Sequence, residues 1–168
     1  PLIQLFKKKK INFFIIHTSQ HKIYSMERQF FQDFKIKPNY ILSTKKDFLS
    51  ESINQISKIY DKEKPDYIIN QGDTYSVLAS TIAFNNIKKN RSRLVHLEAG
   101  LRTHNKFSPY PEEINRCLIS RIADIHLCPT QKSVNNLNYE NIKDNIYLVG
   151  NTVVDSFEYI YNNSKIPN

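Results

Sequence analysis

Short apolar runs alternate with segments of helical periodicity along most of this 168-residue chain. Continuous apolar runs are typical of buried strands, and we predict strands at residues 11–18, 67–71, 94–97, 125–130 and 146–150. Apolar residues spaced three and four positions apart predict helices at residues 24–34, 48–60, 74–86, 112–122, 131–137 and 151–161. Strands that alternate with helices at this spacing predict an α/β fold, with βαβ units around a parallel sheet.

The composition is that of a globular domain with a sizeable core. Hydrophobic residues make up 40% and charged residues 24% of the chain, close to the averages for soluble proteins. No run approaches the ~20 apolar residues of a membrane span. Residues 1–10 place their charges after the apolar residues, the reverse of a signal peptide, and indicate the end of a helix. We therefore expect one domain in the cytoplasm, with no membrane contact.

The chain is basic, with a net charge of +8 and a pI of about 9.4. Such a charge is compatible with nucleic-acid binding. The lysines, however, form short scattered clusters, such as those at residues 7–10 and 45–46, rather than one continuous stripe. We predict no nucleic-acid partner, although the charge would favour anionic small molecules.

Two cysteines, Cys117 and Cys128, are present. They form no C-x-x-C pair, which argues against zinc, and we predict no metal site. A disulfide between them is an alternative, but buried free thiols in a reducing compartment are the simpler interpretation.

Seven residues lie at or just beyond the carboxyl ends of the predicted strands. They are His17, Gln20, His21, Asp73, Glu98, Thr130 and Gly150. In parallel α/β sheets, ligands bind outside the carboxyl ends of the strands. Because Asp73 and Glu98 follow successive strands, we expect both at one edge of the sheet, together with Glu112 at the end of a Pro-rich loop. The sequence therefore predicts an acidic site at this edge.

Six segments carry a family resemblance. They are TSQH from residue 18, QGDTYS from residue 71, HLEAGLRT from residue 96, SPYPEEINR from residue 108, IADIHLCPT from residue 122 and GNTVVD from residue 150. In this order and spacing they resemble the non-hydrolysing UDP-N-acetylglucosamine 2-epimerases. The resemblance implies a Rossmann-like parallel sheet with helices on both faces, the N-terminal half of a glycosyltransferase-B type fold. It also implies that residues 1–168 form a single domain, with the first strand and the C-terminal domain of the family missing.

The resemblance implies an isomerase that interconverts UDP-N-acetylglucosamine and UDP-N-acetylmannosamine. The family is thought to eliminate UDP and add it again, which supplies surface polysaccharide synthesis. A UDP-sugar substrate, no cofactor and a homodimer of the full-length protein are implied as well. The chain begins after an Arg-bearing loop of the family and ends before the second domain, so we expect residues 1–168 alone to be inactive.

By motif match, the resemblance implies catalytic carboxylates at Asp73, Glu98 and Glu112. Several carboxylates around one cavity raise one another's pKa, which lets one act as an acid while another acts as a base. The resemblance also implies four substrate-binding residues, namely Gln20, His21, Arg102 and Arg116.

Each catalytic candidate also has an ordinary structural explanation. Asp73 is placed to cap the helix that follows it. Glu98 is placed to pair with Arg102, and Glu112 lies where a helix dipole favours a negative charge. These explanations and the catalytic ones remain open at the level of the sequence.

Other polar residues of these segments are predicted to be structural. Glu113 lies in the first turn of a helix, where we expect a salt bridge. His17 ends a predicted strand, and His96 and His126 lie inside strands. None of these histidines has a metal-ligand partner at a useful spacing, so we expect structural roles.

Two alternative functions remain compatible with the sequence. The first is the acceptor-binding domain of a glycosyltransferase with the same type of fold. The second is a non-catalytic, truncated remnant of an epimerase. The presence of all three carboxylates favours the epimerase over the glycosyltransferase and argues against a long decay. The missing ends favour the remnant for residues 1–168 alone.

Overall fold

The computed structural model describes residues 1–20, 31–87 and 92–163. In chain order, the helices and strands are α1 (Leu2–Lys9), β1 (Ile16–His17), β2 (Tyr40–Ile41), α2 (Phe48–Glu63), β3 (Tyr67–Gln71), α3 (Tyr75–Asn85), β4 (Arg93–Leu97), α4 (Glu112–Ile122), β5 (Ile125–Cys128), α5 (Gln131–Tyr139), β6 (Ile146–Leu148) and α6 (Thr152–Asn163). None of the described helices is long and apolar enough to cross a membrane.

The strands form parallel sheets. β3, β4, β5 and β6 are neighbours in that order, and β1 pairs with β2 in a separate two-stranded ladder. Each strand from β3 to β6 is followed or preceded by a helix, so every connection is a βαβ crossover. The predicted α/β fold with a parallel sheet is confirmed, and the carboxyl ends of all four strands lie at one edge.

The main core lies between the sheet and helices α2 and α3. Ile56, Ala79, Ala83 and Leu94 are all at most 1% exposed. The small alanine side chains let α3 approach the sheet closely, as the sequence predicts. Burying each large aliphatic side chain contributes roughly 1.5–3 kcal/mol to folding.

A buried hydrogen-bond chain ties α2, α3 and β3 together. The hydroxyls of Tyr60 and Ser80 lie 2.6 Å apart, and Ser80 donates to the side-chain oxygen of Asn70 over 2.8 Å. Burial raises the pKa of Tyr60 to about 12, so its hydroxyl stays protonated and able to donate. A buried polar group without such partners would cost about 1–3 kcal/mol.

The first predicted strand is shorter than expected. Only Ile16–His17 of residues 11–18 forms a strand, because its partner β2 has only two residues. Pro38 precedes β2 and has no N–H to donate. The side chain of Asn39 accepts the Ile15 N–H over 2.9 Å, in place of a neighbouring strand carbonyl. β2 itself was not predicted from the sequence.

Most later elements match their predictions within two residues. β3 and α4 have the predicted bounds. β5 ends at Cys128 rather than residue 130, because Thr130 caps α5 and its hydroxyl accepts the Ser133 N–H over 3.2 Å. Most of the predicted helix 24–34 lies outside the described residues. Within its described part, residues 31–33 are helical.

Two histidines face each other inside the sheet. His96 and His126 are register partners on β4 and β5, and they are 1% and 2% exposed. His96 donates from Nε2 to the Gly72 carbonyl over 2.9 Å, and neither Nδ1 has a partner within the described part of the chain. Burial lowers the pKa of His96 to about 4 and also lowers the pKa of His126. Both are therefore neutral core residues at pH 7.

We predict that mild acid destabilises this sheet. In the unfolded chain each histidine binds a proton near pH 6.5, whereas folded His96 stays neutral until about pH 4. The stability that depends on neutral His96 is complete above pH 6.5 and is lost as the pH falls towards 4. The free energy of unfolding, measured by urea denaturation, should fall by about 1–2 kcal/mol for this residue between pH 7 and pH 5.

The matched variants are His96→Gln and His104→Asn. A glutamine amide can replace the Nε2 donor without gaining a proton, so His96→Gln should have a smaller pH dependence. His104 is an exposed loop residue, and its substitution should leave the pH dependence unchanged. Equal slopes in the wild type and His96→Gln would contradict this account.

Close packing of α5 against the end of β4 requires a glycine at residue 100. Gly100 has φ +80°, and an added Cβ would lie 2.2 Å from the Ser133 carbonyl oxygen. Gly150 has a similar φ of +79° but has no atom within 4 Å of such a Cβ. The two glycines therefore separate the cost of backbone strain from the cost of a backbone clash.

We predict that Gly100→Ala is the more destabilising of the two alanine substitutions. Both should lose roughly 1–2 kcal/mol from the left-handed backbone. Gly100→Ala should lose a further ~1–3 kcal/mol, because the helix must move away from the sheet. Urea denaturation of both variants measures the difference, and equal destabilisation would show that α5 does not rest on Gly100.

Candidate active site

Two acidic residues follow neighbouring strands at the carboxyl edge of the sheet. Gln71 at the end of β3 is in register with Leu97 at the end of β4, and the Gly72 N–H continues this pairing to the Leu97 carbonyl over 3.1 Å. Asp73 and Glu98 come directly after these residues. A Cβ added to Gly72 would lie 3.6 Å from Glu98 Oε2, so the Glu98 carboxylate lies over the β3 turn, as expected from the sequence.

Glu98 has an unusual backbone conformation. Its φ is +67°, in the left-handed region that costs a residue with a side chain roughly 1–2 kcal/mol. Such strain is concentrated at functional sites when the surrounding fold imposes it. Here the left-handed turn ends β4 and directs the chain into the loop that leads to α4.

Asp73 is held by two residues of α4. Its carboxylate accepts a hydrogen bond from Arg116 Nε over 2.8 Å, and its main-chain carbonyl accepts from Asn115 Nδ2 over 2.7 Å. The N-cap of α3 is Thr74, so the explanation of Asp73 as the helix cap is wrong. The side chains of Asp73 and Arg116 are 22% and 16% exposed, which leaves this pair open to a ligand.

Glu113 is the buried partner of the same arginine. Its Oε2 accepts from Arg116 Nη1 over 3.1 Å, and its Oε1 accepts the N–H groups of Thr103 and His104, both over 2.9 Å. Burial raises the pKa of the Glu113 carboxyl, but the backbone donors and Arg116 outweigh it, so the pKa lies below its usual range. The predicted salt bridge of Glu113 is confirmed.

Glu112 is the first residue of α4 and is half-buried. It directly precedes Glu113, whose contacts reach the Asp73 turn through Arg116. Pro111 is the N-cap of α4 and its side chain makes no capping hydrogen bond. Glu112 thus lies in the first turn of the helix that is anchored to the acidic edge.

Arg102 is enclosed in a separate ion pair. Its Nε and Nη2 donate to the two carboxylate oxygens of Glu140 over 2.6 and 2.9 Å, and its remaining donors reach Ser120 and the Leu101 carbonyl. The Arg102 side chain is only 1% exposed. The structural explanation that pairs Glu98 with Arg102 is therefore wrong, since the guanidinium is occupied by Glu140.

Gln20 joins the end of β1 to the start of α3. Its Oε1 accepts from the Ser76 N–H over 3.0 Å and from the Ser76 hydroxyl over 2.7 Å. The Thr18 hydroxyl lies 2.6 Å from the same Ser76 hydroxyl. Because the Thr74 side chain makes no capping bond, Gln20 satisfies a free N–H of this helix. His21 lies outside the described residues.

Three contact residues were not singled out from the sequence. Ser76 and Asn115 lie within the segments QGDTYS and SPYPEEINR, so their presence in those segments was the available signal. Glu140 lies 38 residues from Arg102, in a helix end with no motif. No local pattern could have paired it with that arginine.

A cavity of about 320 Å³ lies beside Arg102 and Glu113. Lys106, Leu118 and Glu113 contribute to its lining, whereas Asp73, Glu98 and Glu112 do not. The cavity and the acidic edge are therefore separate features that share the Glu113 side chain. Asp73 and Glu98 lie at the acidic edge, outside this cavity.

The described residues contain no group of three or more His, Cys, Asp or Glu side chains that could hold a metal ion. Within the same residues, Cys117 and Cys128 are free thiols, and burial raises the pKa of Cys128 to about 11. The carboxylates at this edge can donate and accept protons.

Comparison with known proteins supports the resemblance read from the sequence. A family model for UDP-N-acetylglucosamine 2-epimerase matches residues 4–167. The chain is 38% identical over 162 residues to the UDP-N-acetylglucosamine 2-epimerase of Methanocaldococcus jannaschii, a match that covers 93% of this chain and 43% of that protein. It is 35% identical over 164 residues to the Bacillus subtilis enzyme, covering 93% and 42%.

Solved structures give the same result. The Methanocaldococcus jannaschii epimerase in complex with UDP-GlcNAc and UDP matches with a TM-score of 0.88 at 34% identity, over 98% of this chain and 47% of that chain. The Neisseria meningitidis UDP-GlcNAc 2-epimerase bound to UDP-GlcNAc has a TM-score of 0.84 at 34% identity, covering 98% and 45%. The chain spans less than half the length of these relatives, and the expected fold of that half is confirmed. The chain belongs to the UDP-N-acetylglucosamine 2-epimerase family.

Proposed function

We propose that the protein interconverts UDP-N-acetylglucosamine and UDP-N-acetylmannosamine. Membership of the family supports this reaction, as does the binding of UDP-GlcNAc by the Neisseria meningitidis relative. The observation that carries the proposal is the acidic edge, where Asp73 and Glu98 follow two paired strands. Because the chain spans less than half the length of its relatives, the proposal concerns the complete protein.

The reaction inverts carbon 2 of the sugar, whose proton is not next to a carbonyl. A base removes this proton as the bond between carbon 1 and the UDP oxygen breaks, and the electrons form a double bond between carbons 1 and 2. A proton then returns to carbon 2 from the other face, and UDP adds again to carbon 1. No atom is oxidised or reduced overall, and acid and base groups are needed on both faces of the ring.

The proposed acid and base groups are Asp73, Glu98 and Glu112. Asp73 is oriented by a charged hydrogen bond from Arg116, which favours one fixed position of its carboxylate. Glu98 lies over the neighbouring turn. Glu112 begins the helix that carries Arg116. Three carboxylates on three separate segments would let the sugar lie between them.

We propose that Gln20, His21, Arg102 and Arg116 contribute to substrate binding. Gln20 and Arg116 border the acidic edge through their contacts with Ser76 and Asp73. Arg102 would act by holding the loop after β4, since its donors are occupied by protein atoms. His21 is included on its motif alone.

The proposal extends to the setting implied by the family resemblance. The complete protein would act as a homodimer in the cytoplasm, and its product would supply surface polysaccharide synthesis. The chemistry above does not depend on either point.

We predict that removing any one of the three carboxylates slows the chemical step. Asp73→Asn, Glu98→Gln and Glu112→Gln in the complete protein should each slow turnover by about 10²–10⁴-fold, or roughly 3–5 kcal/mol of barrier, as expected for an acid or base group. The measurement is proton–deuterium exchange at carbon 2 in heavy water, with both sugar nucleotides followed by NMR.

Asp61→Asn is the matched control, because Asp61 is an exposed carboxylate on α2. It should exchange at the wild-type rate. Wild-type exchange in all three site variants would remove these carboxylates from the mechanism. The accumulation of a glycosylated acceptor without exchange at carbon 2 would instead favour a glycosyltransferase.

A further inference from the structure

We propose that Glu113 is a positioning residue that fixes the Asp73 carboxylate through Arg116. The inference rests on the proposed function, in which Asp73 acts as an acid or base. Glu113 itself would not touch the substrate, since it is 3% exposed. Its role would be to hold one arginine and one loop in a single arrangement.

Glu113 uses both of its carboxylate oxygens as hydrogen-bond acceptors. Oε1 accepts the two backbone N–H groups of Thr103 and His104, and Oε2 accepts from Arg116. Hydrogen bonds to an ionised carboxylate are roughly twice as strong as neutral ones. The carboxylate therefore has little freedom to rotate, and the loop after β4 holds it in place.

Arg116 links the fixed Glu113 carboxylate to the Asp73 carboxylate. A guanidinium is planar, so fixing one of its N–H groups limits the directions of the others. Nη1 donates to Glu113 over 3.1 Å, and Nε donates to Asp73 over 2.8 Å. Glu113 and Arg116 are three residues apart on α4, a spacing that places them on one face of the helix.

The backbone of Asp73 is held by a contact that does not involve Glu113 or Arg116. Asn115, which is 2% exposed, donates to the Asp73 carbonyl over 2.7 Å. Loss of the Glu113–Arg116 contact would therefore leave the Asp73 turn in place while it frees the Asp73 side chain. A positioning role then differs from a general structural role, because it affects the orientation of one carboxylate.

The test compares Glu113→Gln with Glu140→Gln, which removes the charge of the carboxylate that pairs with Arg102. NMR of the chain labelled with ¹⁵N in arginine and ¹³C in aspartate follows the Arg116 Nε–H signal and its correlation to the Asp73 carboxyl carbon. In Glu113→Gln we expect the correlation to disappear and hydrogen exchange at Nε to accelerate by about tenfold or more. Glu140→Gln should leave both unchanged.

The kinetic arm uses the complete protein. Glu113→Gln should lower kcat by about 10- to 100-fold, as for a misplaced catalytic group, while KM changes less than about threefold. Glu113→Asp keeps the negative charge but has a shorter side chain, so the correlation of Arg116 to Asp73 should disappear in this variant as well. It provides a second variant if Glu113→Gln fails to fold.

An unchanged Arg116 signal in both Glu113 variants would overturn the proposal, as would a wild-type kcat in the complete protein that carries Glu113→Gln. The NMR arm needs no turnover, so it separates this inference from the proposed function. If the wild-type protein shows no exchange at carbon 2, the proposed function fails and the catalytic purpose assigned to Glu113 fails with it. The Arg116 signal would still report whether Glu113 holds Asp73.

Discussion

The parallel pairing of β3 with β4 is the constraint on which the acidic edge depends. Each strand ends in register with the other, and the Gly72 N–H extends the pairing one residue further. The residues that follow the two paired strands, Asp73 and Glu98, are thereby brought to the same edge. A shift of one residue in this register would turn every side chain of the shifted strand to the opposite face, and the two carboxylates would no longer share a site.

Helix α4 then converts this edge into a fixed arrangement. Asn115 holds the main chain of Asp73, while Arg116 holds its side chain. The same helix is tied to the loop after β4 by Glu113. Three segments of the chain are thus joined by hydrogen bonds with little exposure to solvent, where such bonds are strongest. One short motif therefore contributes both a candidate catalytic group, Glu112, and the residues that hold another, Asp73.

The parts that sequence could predict are those encoded by local pattern. The strand at 67–71 and the helix at 112–122 were predicted because an apolar run and a Pro-led amphipathic segment have distinct signatures. The strand predicted at residues 11–18 was too long, because the Asn39 side chain takes the place of a strand partner. The partners of Arg102 and Asp73 depend on tertiary packing across 38 and 43 residues. The motifs in the sequence predicted which residues are candidates for the site, but they could not predict the hydrogen-bond partners of those residues.

The central claim is that the sugar is processed at the edge formed by Asp73 and Glu98. The most direct measurement is a crystal structure of the complete protein with UDP-N-acetylglucosamine bound. The account predicts that carbon 2 of the sugar lies roughly 3–3.5 Å from a carboxylate oxygen of Asp73, Glu98 or Glu112, with the Arg116–Asp73 hydrogen bond retained. A sugar seated instead in the cavity beside Arg102 and Lys106, remote from all three carboxylates, would contradict it.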